Sequence, residues 1–148
     1  VKKQTFYFDI DHAVDVHDWI IEKSGGSPGI NNIGLLESPL QHIQNDAYYP
    51  EFHHKLTHLV FSINKSHVFT DGNKRSSIVL GAYLLKLNGY EYLVQKFTLE
   101  MENIVVWVAE NKIDKDLLGD LIESLIYEED YSEHLKLRLA IAVSDNFS

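Results

Sequence analysis

Between Ser76 and Leu87 the chain carries one charge, Lys86, and its apolar residues point in every direction around a helix. A helix that is apolar all round is stable only when other elements enclose it, so this run predicts a buried, central helix. Asn88-Gly89 marks its end, because glycine takes the left-handed C-cap conformation without strain. The rest of the chain has to wrap this segment.

Amphipathic patterns on either side supply the wrapping. Ile10, Val14, His17 and Ile21 recur at helical spacing, with Asp9 or Asp11 as a cap and Gly25-Gly26 as the stop near Ser24. Gly34–Ser38 reads as a short helix, with Pro39 in its first turn or at its break. Residues 44–50 hold turn formers and two tyrosines, which predicts an exposed loop or a small hairpin. Phe52, Leu56, Leu59 and Ile63 form the apolar stripe of a helix over about 51–65. Residues 90–97 are expected to be irregular or extended, and Thr98 to cap a helix whose stripe is Met101, Ile104, Val105 and Val108. Leu117, Leu121 and Leu125 predict a helix over about 115–127, and Leu135, Leu139 and Ala142 another near 132–143. Residues 1–8 are expected to be a small strand or a packed arm. No repeat or linker interrupts the pattern. The expectation is an all-α fold in a single domain over 1–148, with its core at about 8–127 and a helical extension at 128–148.

Composition narrows the functions open to such a fold. A chain of 148 residues can bury a real core. Lys plus Arg less Asp plus Glu is 13 − 22 = −9, which argues against non-specific binding of nucleic acid or of an anionic membrane. Cysteine is absent, so neither disulfides nor thiolate metal sites are available. That agrees with a reducing cytoplasm. No signal-peptide pattern and no apolar run long enough to span a bilayer is seen, and a cytoplasmic protein is expected.

The residues that carry chemistry lie just ahead of the apolar run, in His67-Val68-Phe69-Thr70-Asp71-Gly72-Asn73-Lys74-Arg75. A helix N-terminus has unpaired N–H groups and partial positive charge, so phosphate oxygens settle there. Gly72 permits close backbone approach, and Lys74 and Arg75 add charge-assisted hydrogen bonds. Asp71 is a hard oxygen ligand of the kind Mg²⁺ prefers, and His67 is of the residue type best suited to taking a proton from a hydroxyl near neutral pH. Phe69 is expected to anchor the turn on the core. The competing reading is a purely structural helix cap.

This nine-residue run resembles the signature of the Fic/Doc family, H-x-F-x-[DE]-G-N-[GK]-R, at every specified position. Gly25-Gly26-Ser27-Pro28-Gly29-Ile30 and Gly34-Leu35-Leu36-Glu37-Ser38 resemble the N-terminal part of the Doc (death-on-curing) branch, and Leu87-Asn88-Gly89-Tyr90 its helix end. The resemblance covers about residues 8–127. It implies use of ATP and Mg²⁺, with His67 as the base for a target hydroxyl, Asp71 holding the metal and Gly72, Asn73 and Arg75 holding phosphates. It also implies a flap near residues 40–50 that aligns the target segment by strand addition. Fic enzymes transfer AMP to protein hydroxyls. Lys74 stands where the AMP-transferring members have glycine, and Ile78 where they have a second arginine; both are similar to the Doc toxins. That branch implies a toxin held in check by a small antitoxin, a kinase that moves the γ-phosphate of ATP to elongation factor Tu. Gly72 departs from the Doc toxins' usual alanine. An AMP transferase and a non-catalytic nucleotide- or peptide-binding module are the alternatives.

Other residues invite weaker readings. His54 and His58 lie at i,i+4, but with His53 they oppose the apolar stripe, and solvated surface histidines are preferred over a metal site. His17 falls inside an apolar stripe and is expected to be a hydrogen-bonded core histidine. Thr98 with Glu102-Asn103 matches a loose inhibitory pattern of some Fic proteins and is read as coincidence. Phe61 suggests a second packing contact or a partner groove, and packing is preferred.

Overall fold

Capping and apolar spacing divide the chain into seven helices among the described residues, 4–145 of the computed structural model. These are α1 (Ile10–Ser24), α2 (Gly34–His42), α3 (Phe52–Lys65), α4 (Asn73–Leu87), α5 (Val94–Ala109), α6 (Lys115–Tyr127) and α7 (Glu133–Val143), with a short 3₁₀ turn, Glu91–Leu93, before α5. The all-α expectation holds, and no strand occurs among the described residues. Side-chain oxygens start three of the helices: Asp9 accepts from His12 N–H at 2.9 Å, Asp114 from Leu117 N–H at 2.8 Å and Ser132 from Leu135 N–H at 3.1 Å.

Two helices share the centre. α4, predicted to be the enclosed one, packs against α1, α3, α5 and the 3₁₀ turn, and α3 packs against α2, α4, α5 and α6. Leu56, Leu59 and Ile63 of α3 meet Leu80, Leu84 and Leu85 of α4 in one core, all fully buried. Ile78, Ala82 and Tyr83 of α4 are only partly buried, so enclosure is complete along one side of that helix rather than all round. Gly81 permits the close approach: a methyl group there would stand 2.9 Å from the Phe97 ring and 3.1 Å from Val60. Each buried Leu, Ile or Phe contributes about 1.5–3 kcal/mol. That outweighs the roughly 1 kcal/mol lost by a mid-helix glycine.

Several local expectations are corrected. α5 starts at Val94 rather than at a Thr98 cap, and residues 91–97 are helical, not extended. Fully buried Phe97 draws this first turn into the core, and the Thr98 hydroxyl donates back to Val94 O at 2.8 Å. Pro39 lies inside α2, neither in its first turn nor at a break; burial of Leu36, Pro39 and Leu40 offsets the lost ladder bond. Residues 4–8 are a packed arm, not a strand. Phe8 is buried, and the amide side chain of Asn88 pairs with both backbone groups of Phe6 at 2.8 and 2.9 Å. The expectation for residues 1–3 lies outside the described residues.

Of the two forms expected for residues 44–50, an exposed loop or a small hairpin, the structure has the loop. Residues 40–42 finish α2, and 44–50 fold into exposed turns, with Tyr49 N–H donating to Asn45 O at 2.9 Å, so no hairpin or strand forms there. The buried ammonium of Lys55 ties these turns down, donating to Ile43 O at 2.6 Å and Asp46 Oδ1 at 2.7 Å.

Two of the three histidines of α3 depart from the solvated face expected, because α6 packs over His53 and His58, whereas His54 is exposed as expected. His53 is buried with Nε2 2.7 Å from Glu123 Oε2. His54 Nδ1 accepts from Glu51 N–H at 3.2 Å, as part of the α3 cap. His58 lies half-buried, with Nδ1 2.7 Å from Lys115 Nζ and Nε2 3.2 Å from His42 Nδ1. No cluster of three or more metal-ligating side chains is found among the described residues. Phe61 makes the expected second contact, its ring under the Lys115 ammonium at 6.0 Å. Among the described residues no helix is long and apolar enough to cross a membrane.

Burial, with Lys115 and then His42 beside it, pushes His58 down from 6.5 to about 4. The folded state therefore favours neutral His58. The resulting stability is complete above pH 6.5 and is lost as pH falls from there through about 4. Allowing for partial exposure, the loss should be about 1–3 kcal/mol. Urea unfolding at pH 7.5 and 4.5 checks this, and His58→Gln should flatten the difference by that amount.

Candidate functional site

The connection from α3 to α4 must reverse the chain within residues 66–72. His67 makes the reversal in a left-handed conformation, φ 50°, which leaves its imidazole exposed. Val68 and Phe69 then plunge into the core, both fully buried. Gly72, at φ 81°, turns the chain into α4. Phe69 is thus the anchor expected from the sequence.

The turn is held from one side by the loop after α1. Asn31 N–H donates to Val68 O at 2.8 Å and Thr70 N–H to Gly29 O at 3.0 Å, and Ile30 and Phe69 form an isolated antiparallel bridge. The Asn31 side-chain amide donates to the carbonyls of His67 and Phe69 at 3.1 and 3.2 Å. This bridge is the strand-like pairing found among the described residues. Gly26 and Gly29 make the close approach possible. A Cβ on Gly26 would stand 2.6 Å from Asp71 Oδ2, and one on Gly29 2.9 Å from Thr70 Oγ1. From below, fully buried His17 stacks on Phe69, with ring centroids 3.7 Å apart and planes 8° apart, and its Nε2 lies 2.7 Å from Asp71 O. It is the hydrogen-bonded core histidine expected.

Asp71 faces solvent with its carboxylate already oriented. Oδ2 accepts from Ser27 N–H at 3.1 Å and Oδ1 from Gly72 N–H at 2.8 Å. These two backbone bonds, with Arg75 and Lys74 nearby, hold its carboxyl below the usual carboxylate range. It is an ionised carboxylate at neutral pH.

Beside it, the first turn of α4 has no side-chain cap, and its first intrahelical bond is Ser76 N–H to Gly72 O at 2.9 Å. The N–H groups of Asn73, Lys74 and Arg75 precede that bond and are the ones an anion can take. Lys74 is exposed in the same turn. The Asn73 amide is committed elsewhere: it accepts from Phe69 N–H at 3.1 Å and donates to Phe69 O at 2.9 Å. What Asn73 offers a phosphate is its backbone. Arg75 donates from Nη1 to Ser24 Oγ and to Gly25 O, the latter at 2.8 Å, with Nη2 3.8 Å from Asp71 Oδ1. One edge of its guanidinium thus holds the glycine loop.

The structure places Asp71, Gly72, Asn73, Lys74 and Arg75 at one uncapped helix start, with His67 exposed on the turn that leads into it. Sequence reasoning missed the support for it. A histidine on an apolar stripe was the signal for His17, and the Gly-Gly-Ser-Pro-Gly run the signal for the supporting loop. The donor set also fits the group that the family resemblance implies. A single ionised carboxylate beside an open anion site suits Mg²⁺ carried on a nucleotide, which takes most of its oxygens from phosphate and water. The 540 Å³ groove between the N-terminal arm, Phe52 and Tyr90 lies at the other end of α4 and shares no residue with this turn.

A family model described as "Fic/DOC family" matches residues 7–85. The chain is also 28% identical over 120 residues to "Protein kinase doc" of Escherichia phage P1, covering 78% of this chain and 91% of that protein. No solved structure gives a significant match.

Gly25 and Gly26 separate strain from contact. Both have positive φ, 86° and 120°, but a Cβ on Gly25 meets nothing within 4 Å. Gly26→Ala should therefore destabilise by about 1–2 kcal/mol more than Gly25→Ala, measured by denaturant unfolding.

Proposed function

The chain belongs to the Fic/Doc family, and from that premise we propose that it is a Doc-like toxin, transferring phosphate from ATP to a hydroxyl of a target protein such as elongation factor Tu. The observation that carries the reading is the uncapped start of α4 with exposed His67 and ionised Asp71 beside it. The phage relative, "Protein kinase doc", supports the choice of reaction. So does α4 itself. Ile78, one turn after Lys74, is packed against the core, where a second guanidinium for the outer phosphates would otherwise stand.

ATP with Mg²⁺ supplies the phosphate that moves and the cation that screens its oxygens. The residues of the chain do the rest. Asp71 holds the cation, and the N–H groups of the first turn of α4, with the Lys74 ammonium, hold phosphate oxygens. His67 takes the proton of the target hydroxyl as that oxygen bonds to the γ-phosphorus and ADP leaves. Such a transfer depends mainly on positioning and charge stabilisation, which a turn fastened on two sides provides. A small antitoxin is the expected partner. The second reading, AMP transfer, is favoured by Gly72, which departs from the alanine usual in the Doc toxins.

Incubation with elongation factor Tu and ATP labelled separately at the α- and γ-phosphates tests the proposal. The γ label alone should transfer, and His67→Ala should slow transfer by about 10²–10⁴-fold. Transfer of the α label alone would sink the kinase reading and leave AMP transfer. In bacteria, expression of the wild-type chain should slow growth, and equal toxicity of His67→Ala would count against His67 as the base.

A further inference from the structure

We propose that His17 is a positioning residue for the nucleotide site, which orients the Asp71–Gly72 peptide and through it the carboxylate that holds the cation. The inference rests on the reading above for its consequence and on the geometry alone for its cause. A carbonyl oxygen only accepts, so the 2.7 Å contact between His17 Nε2 and Asp71 O requires the hydrogen to be on Nε2. That carbonyl belongs to the peptide joining Asp71 to Gly72. A trans peptide is planar and holds its C=O and N–H pointing opposite ways. With the carbonyl held inward by His17, Gly72 N–H must point outward, and there it donates to Asp71 Oδ1 at 2.8 Å.

Each further feature of the turn follows from this one peptide plane. Gly72 then enters α4 at φ 81°, a conformation that a side chain would strain, and a Cβ there would also stand 3.5 Å from His17 Nε2 and 3.2 Å from Ile21 Cδ1. The stack on Phe69 fixes the imidazole plane, and Asp18 Oδ1 at 3.3 Å faces the other ring nitrogen. His17 makes no contact with the exposed face of the turn. Its effect on the reaction passes through the peptide.

A core histidine that only fills space would behave differently under two substitutions. His17→Phe keeps an aromatic ring under Phe69 and removes the donor, whereas His17→Gln keeps a donor at about the reach of Nε2 and removes the ring. Two readouts are needed. The first is hydrogen exchange of the Gly72 amide by NMR, which requires no nucleotide. Its protection should fall about tenfold or more in His17→Phe and be largely restored in His17→Gln, while core amides of α5 and α6 keep theirs. The second is the affinity for ATP, measured by calorimetry with and without Mg²⁺. The Mg²⁺-dependent gain should fall about 10–100-fold in His17→Phe, with metal-free affinity unchanged, and recover in His17→Gln. Unchanged Gly72 protection in a folded His17→Phe protein would overturn the inference. So would equal loss of protection at Gly72 and throughout the core, the mark of a packing role. Absence of any Mg²⁺-dependent ATP binding in the wild-type protein would instead overturn the nucleotide reading, and Gly72 exchange would still decide the role of His17.

Discussion

The structure depends on the packing of α3 against α4 and the short connection that this packing leaves between them. With Leu56, Leu59 and Ile63 on one helix set against Leu80, Leu84 and Leu85 on the other, the ends of residues 66–72 are fixed in space before the turn adopts any conformation. A connection so short, between fixed ends, has few conformations open to it. It spends two left-handed residues, His67 and Gly72, and sinks Phe69 between them. The exposed imidazole, the oriented carboxylate and the open helix start are what the taut turn leaves on its outer side.

The fastening of that turn is mostly backbone to backbone or amide to backbone, from Gly29 and Asn31 on one flank and from Asn73 within the turn. Such bonds keep their strength without a charged partner and are little screened by salt. The charged groups are thereby left for other tasks. Asp71 and Lys74 remain at the surface, and Arg75 divides its guanidinium between the glycine loop and the neighbourhood of Asp71. A helix start that would ordinarily be capped by a side chain stays open because its position is secured from elsewhere.

The parts legible in the sequence are those governed by local rules. α6 begins where Asp114 can cap it, and its leucines repeat along one face, so its limits could be read directly. The motif residues were legible by chemical type. α5 was not, because Thr98 looks like a cap while Phe97, just before it, is pulled into the core by contacts with residues far away in the chain. His53 and His58 depart from the surface expected of them because α3 has two buried faces, the second covered by α6 and lined with His53 and Thr57, which no apolar stripe announces. The commitments of Asn73 and Arg75 also depend on distant geometry. Arg75 engages Ser24 and Gly25, which reach it only once α1 has docked against α4.

Gly81 has a reach that its place in the core conceals. It sits eight residues after Asn73, about 12 Å down the helix axis, at the point where α4 touches both Phe97 and Val60. A helix of this length behaves as a stiff rod, so the missing side chain acts as a fulcrum. Any bulk added there would lever α4 away from α3, and the tilt would arrive at the helix start as a displacement of its N–H groups. Since misplacement by about 1 Å can cost a hundredfold in rate, the alignment of the surface turn is set in part by an absent methyl group in the dry interior.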